Sequence, residues 1–482
     1  MVARLVRGLR FGKRSSKLRV FIGGGLLLLL GAGTLTADVF LPNLFPFLDP
    51  TGFVATNSKG GAIDLSSNFF KSLGTNGRSC GTCHQPGDAF GLSKDNIQLR
   101  YLLTRGKDPL FASVDGANCP DGKPDHSLLL NNGLIRIPLT VPATAQYTIT
   151  AVYDPTGCAL VTNSQGQQVA SVYRRPLATT NINFSSTLMF DGRETLQPLN
   201  NGPSFPAALN FDLTDQALNA TLIHAQAAQS PTADQLADMV NFELALNSGQ
   251  IYDFFAGDLT QHGAQGGPTA ISKQAYYPGI NDSLGGDPQG NKFNPNVFTI
   301  YNAWQNSRNP WQASVARGQQ LFNTNPLTIS NVPGLVTGTA TLMGTCTTCH
   351  DTPNVGHHSF PLPLDIGNAR SLQYETDPNI VAGMHQLSQP NAPVFQLTCT
   401  QGPQAGQVFY TSDPGKSLIS GNCADIGRGK GLILRGLAAR APYFHNGSAA
   451  SLKEVVNFYN QRFQIGLSAQ QMQDLINFLQ TL

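Results

Sequence analysis

Cys80-Gly81-Thr82-Cys83-His84 returns later in the chain as Cys346-Thr347-Thr348-Cys349-His350. C-x-x-C-H is the spacing at which two thiols add to the vinyl groups of one porphyrin while the next histidine reaches its iron. Two copies imply two covalently bound haem c groups. Cys80, Cys83, Cys346 and Cys349 are then the attachment points, and His84 and His350 the proximal ligands. A bare C-x-x-C could also be a redox dithiol or half a zinc site. The histidine directly after the second cysteine, in both copies, argues against that. What lies on the opposite face of each iron decides whether it relays electrons or activates an oxygen species.

The 482 residues suffice for two or three domains with sizeable cores. The chain is 41% hydrophobic and 12% charged, and its 49 Gly and 31 Pro imply many loops. The formal charge of +2 is misleading. Seven of the 31 Lys/Arg lie in residues 1–37, which hold no Asp or Glu, so the remaining 24 face 29 acidic residues. Nucleic acid is therefore excluded as a partner of the body. The basic start followed by the apolar run from Val20 to Ala37 reads as an export signal cleaved near Ala37, or as a membrane anchor. Either places the body in the periplasm or otherwise outside the cytoplasm. Cys119, Cys158, Cys399 and Cys423 remain after the two motifs. Chain proximity suggests Cys119–Cys158 and Cys399–Cys423 bridges, with the other pairings open.

Periodicity predicts a mainly α protein made of two cytochrome c-like haem domains, 38–300 and 310–482. The first carries a small β-rich insertion at about 130–160, marked by Leu134–Ile137 and Tyr147–Thr150. Residues 38–75 read as irregular, and 256–296 and 325–342 as loops. A capping box at Thr232–Gln235 opens a helix with Leu236, Met239, Val240 and Leu244 on one face. A helix leads from Pro310 to Phe322. A capping box at Ser451–Glu454 opens the next helix, with Leu452, Val455, Val456 and Tyr459 at helical spacing, and Ser468 opens the last, with Met472, Leu475, Ile476 and Leu479 on one face.

The stretch Arg440-Ala441-Pro442-Tyr443-Phe444-His445-Asn446-Gly447-Ser448, running into the Ser451 helix, resembles the bacterial di-haem cytochrome c peroxidase and MauG superfamily. Met189-Phe190-Asp191-Gly192-Arg193-Glu194 is similar to that family's F-W-D-G-R stretch, and the order of motifs is the family's. The resemblance covers nearly all of residues 65–482 apart from the β-insertion and loops. It implies that the N-terminal haem reacts with peroxide, that the C-terminal haem relays electrons, and that a residue between them helps electrons cross. Phe190 and Arg193 fall on that crossing stretch, where Phe190 replaces the family's usual Trp.

Carried over residue by residue, the resemblance places Tyr459 as the second iron's sixth ligand, as in MauG-like members; typical peroxidases have Met there. Met384, His385, His357, His358 and Met343 are rivals. His357 and His358 otherwise read as surface or supporting groups. The position of the removable histidine of activatable peroxidases is Arg100, and no His lies between His84 and His126, so the first haem is expected to be open. The family's L-x-x-Q-A stretch matches Leu213–Ala217, with Gln216 at its Gln. Its catalytic Glu falls on Gln226, which cannot shuttle a proton; His224, two residues earlier, can. At the family's calcium site Arg175 replaces the ligating Asn beside the carbonyls of Arg440 and Pro442, so Ca²⁺ is disfavoured.

The expected function is an exported di-haem c-type oxidoreductase. It reduces hydrogen peroxide at the N-terminal haem with electrons relayed through the C-terminal haem. An electron-donor protein, a small cytochrome or cupredoxin, supplies them, and a homodimer is compatible with the family. Two alternatives stay open. One is oxidation of a protein or organic substrate with peroxide or O₂, as in MauG-like proteins or rubber oxygenases. The other is a non-enzymatic electron carrier.

Overall fold

The computed structural model describes residues 40–122, 124–197 and 204–482. The segment read as an export signal or anchor lies outside them. The expectation of a mainly α protein is wrong: helices account for 29% and strands for 18%, the strands spread over several sheets. Sequence periodicity missed these strands because most of them find partners far away in the chain or are only a few residues long.

Residues 38–75, read as irregular, contain Gly52–Ser58, whose side chains are nearly all buried. This strand pairs antiparallel with Leu246–Asp253, from Ser58 opposite Leu246 to Gly52 opposite Asp253. Phe47–Leu48 and Gly257–Asp258 complete a four-stranded sheet. The stretch 325–342, read as a loop, is mostly a hairpin of Leu327–Val332 and Val336–Gly344 with a register shift after Ser330. Its inner residues Leu327, Ile329 and Val332 are buried against Phe463.

The β-rich region near 130–174 forms two sheets. Gln168–Arg174 lies between Ile135–Thr140 and Leu160–Thr162. Tyr147–Tyr153 pairs instead with Val394–Cys399, which also pairs with Val408–Thr411. The two sheets share one apolar core that includes Ile137, Ile149, Val172, Phe395 and Leu397. Both disulfides brace this region, and they join Cys119 to Cys158 and Cys399 to Cys423, as chain proximity suggested.

The helices follow the sequence more closely. Ala233–Ala245 opens with the Thr232/Gln235 capping box and Ala469–Leu479 with the Ser468/Gln471 box. Leu452–Arg462 is capped by Ser451, but the expected Ser451–Glu454 capping box does not form: Glu454 turns away to accept from the Ala450 amide and from Ser388. Pro310–Thr324 crosses Ala469–Leu479 closely because Gly318 has no side chain: a Cβ there would lie 2.0 Å from the Asp474 carbonyl oxygen. Phe298, Phe322 and Phe478 fill the core at this crossing. No helix among the described residues is long and apolar enough to cross a membrane.

Candidate cofactor site

The two C-x-x-C-H segments are held by the same local bonds. Cys80–Cys83 is one helical turn, and Cys346–Thr348 a tighter one. In each, the amide of the residue before the first cysteine donates to a threonine hydroxyl three residues on. Ser79 N to Thr82 Oγ1 and Thr345 N to Thr348 Oγ1 are both 3.0 Å. The repeated unit is thus [S/T]-C-x-T-C-H, one residue longer and more specific than the motif alone.

Each histidine is also fixed in the same way. His84 Nδ1 donates to the Phe90 carbonyl at 3.2 Å, and His350 Nδ1 to the Gly356 carbonyl at 2.7 Å, each six residues downstream. A carbonyl can only accept, so Nδ1 carries the proton and Nε2 keeps its lone pair for a metal. Burial pushes His84 down to about 4 and His350 down as well, so both rings are neutral. Burial pushes Cys83 up to about 11 and Cys346 and Cys349 to about 12; Cys80 shifts the same way. All four motif sulfurs are outside any disulfide.

Both motifs line one predominantly apolar cavity of about 450 Å³. Free thiols, neutral imidazoles with oriented Nε2 atoms and an apolar wall fit a thioether-linked iron porphyrin at each motif.

The surroundings of the two stations differ. Near His84, the helix Phe205–Ile223 turns Leu213, Gln216, Ala217, Ala220 and Thr221 towards the cavity, and His224 caps its end. His224 Nδ1 lies 2.5 Å from Asp115 Oδ2. Asp115 is buried and also pairs with Arg78, which donates to the carbonyls of Pro109 and Leu110 at 2.7 Å each. Burial alone would raise the Asp115 carboxyl. The hydrogen bond from His224 and the charge of Arg78 override it and hold the group below the usual carboxylate range. Sequence reading missed Asp115, which sits in no motif and is 109 residues from its partner.

Gln226 is not part of this arrangement. Its backbone is left-handed (φ 54°), and its exposed side chain accepts from Asn76 at 3.3 Å outside the cavity wall. Arg100 also faces away: it grips Asp108 and donates to the Thr82 carbonyl at 2.6 Å. A further missed residue is Glu243, a buried cavity-wall carboxyl that desolvation pushes up to about 8.

Phe190 and His445 are brought together from opposite ends of the chain and stack at 3.8 Å between ring centroids, with an interplanar angle of 11°. The Arg174 guanidinium stands 5.1 Å from the Phe190 ring and bridges Asp191 and Asp413. Arg193 pairs with Asp191 at 3.0 Å and lines the cavity. Phe190 is thus held rigidly on the cavity wall.

At the second station Tyr459, on the helix Leu452–Arg462, faces the cavity and packs with Cys346, Cys349 and Phe463. Burial first, and then the nearby Cys349 and Cys346 sulfurs, push its hydroxyl well above the ordinary tyrosine value. Met384 is buried away from the cavity wall, while Met343 and His385 are exposed. His357 and His358 are not surface groups; both are buried. Arg175 puts its guanidinium where the resemblance places calcium: it donates to the Leu92 carbonyl and, at 2.9 Å, to the Arg440 carbonyl.

These features define a class of protein with two matched thiol–imidazole stations on one buried cavity. Comparison with known proteins finds partial likeness to two proteins named as cytochrome-c peroxidases. The chain is 31% identical over 137 residues to cytochrome-c peroxidase IdrP2 of Denitromonas iodatirespirans, which covers 27% of this chain and 35% of that protein. It is 42% identical over 78 residues to the IdrP2 of Pseudomonas sp. (strain SCT), covering 15% and 21%. The chain thus spans about a third or less of the length of the curated relatives it matches. No family model matches. A solved structure, a MauG-like protein associated with microbial copper homeostasis, aligns over 86% of this chain and 87% of its own at 14% identity, with a TM-score of 0.33.

Proposed function

We propose that this chain is an exported c-type haem oxidoreductase that reduces peroxide at the His84 station with electrons arriving through the His350 station. One observation carries the reading. Two stations with the same local geometry share a cavity, yet only the first has the Asp115–His224 pair beside it and only the second has Tyr459 against its cysteines.

Bound haem supplies the iron at which peroxide is reduced. The reduction takes two electrons and two protons and yields two waters. His224 offers Nε2 as the proton acceptor and donor, because Asp115 engages Nδ1. Arg78 holds Asp115 in place. The Phe190–His445 stack gives the wall between the two halves of the chain a rigid aromatic contact. Tyr459, packed against Cys346 and Cys349, would help hold the second haem and would keep oxidants from that station. The electron source is a small cytochrome or cupredoxin.

Steady-state turnover with peroxide and such donors, alongside spin-state spectroscopy, tests this. A high-spin ferric component that shifts on adding peroxide is expected. Two low-spin six-coordinate haems would overturn the proposal. A stable oxy-ferrous complex would redirect it towards O₂ chemistry on an organic substrate. Tyr459→Met should raise the potential of one haem and change its ferric spectrum, since a tyrosinate favours ferric iron more than a thioether does. A spectrum unchanged in both Tyr459→Met and Tyr459→Phe removes Tyr459 as a ligand.

A further inference from the structure

Outside the cavity's thiol–imidazole stations, three buried side chains from two loops converge. Asp282 comes from the Gly- and Asn-rich stretch 279–291, and Asp351 and His358 from the loop after the second motif. Each offers a ligand atom, and these atoms lie within 4.8 Å of one another. Their relative exposures are 3%, 0% and 4%.

Their hydrogen bonds leave charge and lone pairs uncompensated. Asp282 Oδ2 accepts from the Gly286 amide at 2.6 Å, but Oδ1 is buried with no partner. Asp351 Oδ1 accepts from the Ser359 amide at 2.6 Å and Oδ2 from the Ser283 amide at 3.3 Å. His358 Nδ1 lies 3.3 Å from the Phe360 amide and 3.5 Å from Asp351 Oδ2, and its Nε2 is buried with no partner. Among the described residues no Lys or Arg pairs with either carboxylate. Burying two carboxylates side by side without a cation is unfavourable. A divalent ion would offset the carboxylate charge and engage the unpartnered atoms.

We propose that Asp282, Asp351 and His358 bind one first-row divalent cation of the Zn²⁺ or Mn²⁺ kind. Carboxylates alone would suit Ca²⁺ or Mg²⁺; the imidazole nitrogen shifts the preference to first-row metals. Asp351 directly follows His350, so the ion would tie the 279–291 loop to the segment that carries the second station. The proposal does not depend on what reaction the cavity performs.

The test uses the haem-loaded protein after chelator treatment and dialysis. Titration calorimetry with Zn²⁺ or Mn²⁺ should give one bound equivalent, and metal analysis should find that equivalent besides iron. Asp282→Asn should weaken binding at least tenfold while the visible haem spectrum and circular dichroism stay unchanged. No stoichiometric binding to the unaltered protein overturns the proposal, a result that needs no variant to fold. Equal binding by a folded Asp282→Asn protein, or binding of Ca²⁺ with no binding of Zn²⁺ or Mn²⁺, also overturns it.

Discussion

His224→Ala is expected to slow the reaction with peroxide at least tenfold, which corresponds to about 1.4 kcal/mol of barrier. The Asp115–His224 contact of 2.5 Å is the reason. Breaking the peroxide bond needs a group that takes a proton from one oxygen and returns it to the other, and His224 is the cavity-wall base placed to do so beside the first station. Asp115→Asn should give a smaller loss, because an amide oxygen can still hold the ring. Gln226→Ala should leave the rate unchanged, since that side chain points outside the wall. Rapid mixing with peroxide, followed in the visible spectrum, reads all three. A His224→Ala rate equal to that of the unaltered protein would remove the proton role.

Arg174→Met is expected to cost stability heavily, about 3–5 kcal/mol, the range for stripping one partner from a buried ionic network. Arg174 bridges Asp191 and Asp413, and all three are almost inaccessible to solvent. Its loss leaves two buried carboxylates, with Arg193 able to reach only Asp191. Burial alone would raise both carboxyls, but the Arg174 charge holds both below the ordinary range. Groups lowered on folding contribute stability above the unfolded value of about 3.9 and lose it as pH falls through the folded value. The deficit of Arg174→Met should therefore be full at neutral pH and shrink in acid. Denaturant unfolding at pH 7 and below about pH 3, under the ordinary carboxylate value, tests both halves; a deficit that does not change with pH would point to lost packing instead.

What the sequence disclosed follows the range of each interaction. The two cysteine–histidine motifs, the capping box at Thr232 and the two bridged cysteine pairs are readable because a few dozen residues contain each one. The strand Gly52–Ser58 was not, since its partner begins at Leu246 and no turn signal links them. The hairpin Leu327–Gly344 was hidden because its outer strand is largely exposed and Thr- and Gly-rich. The site divides the same way. His224 was singled out through a position next to a family stretch, while Asp115, which pairs with His224, is visible only once the fold closes the gap between them. His357 and His358 read as surface or supporting groups because nothing local shows that Tyr276 and Asp282, distant in the sequence, lie against them.

The pairing of Tyr147–Tyr153 with Val394–Cys399 also sets an order of events in time. Tyr147–Tyr153 is an edge strand with no other partner in its sheet, so its ladder waits for some 240 residues that follow it. At synthesis rates of roughly 5–20 residues per second that wait is about 10–50 s. Throughout it the first half carries an open strand edge, the kind of surface that recruits other chains. The first cysteine–histidine motif is available during that interval, whereas the sheet that joins the halves closes only after the second motif has been made. The newborn chain must therefore be kept from its neighbours longest at the stage when one station exists and the other does not.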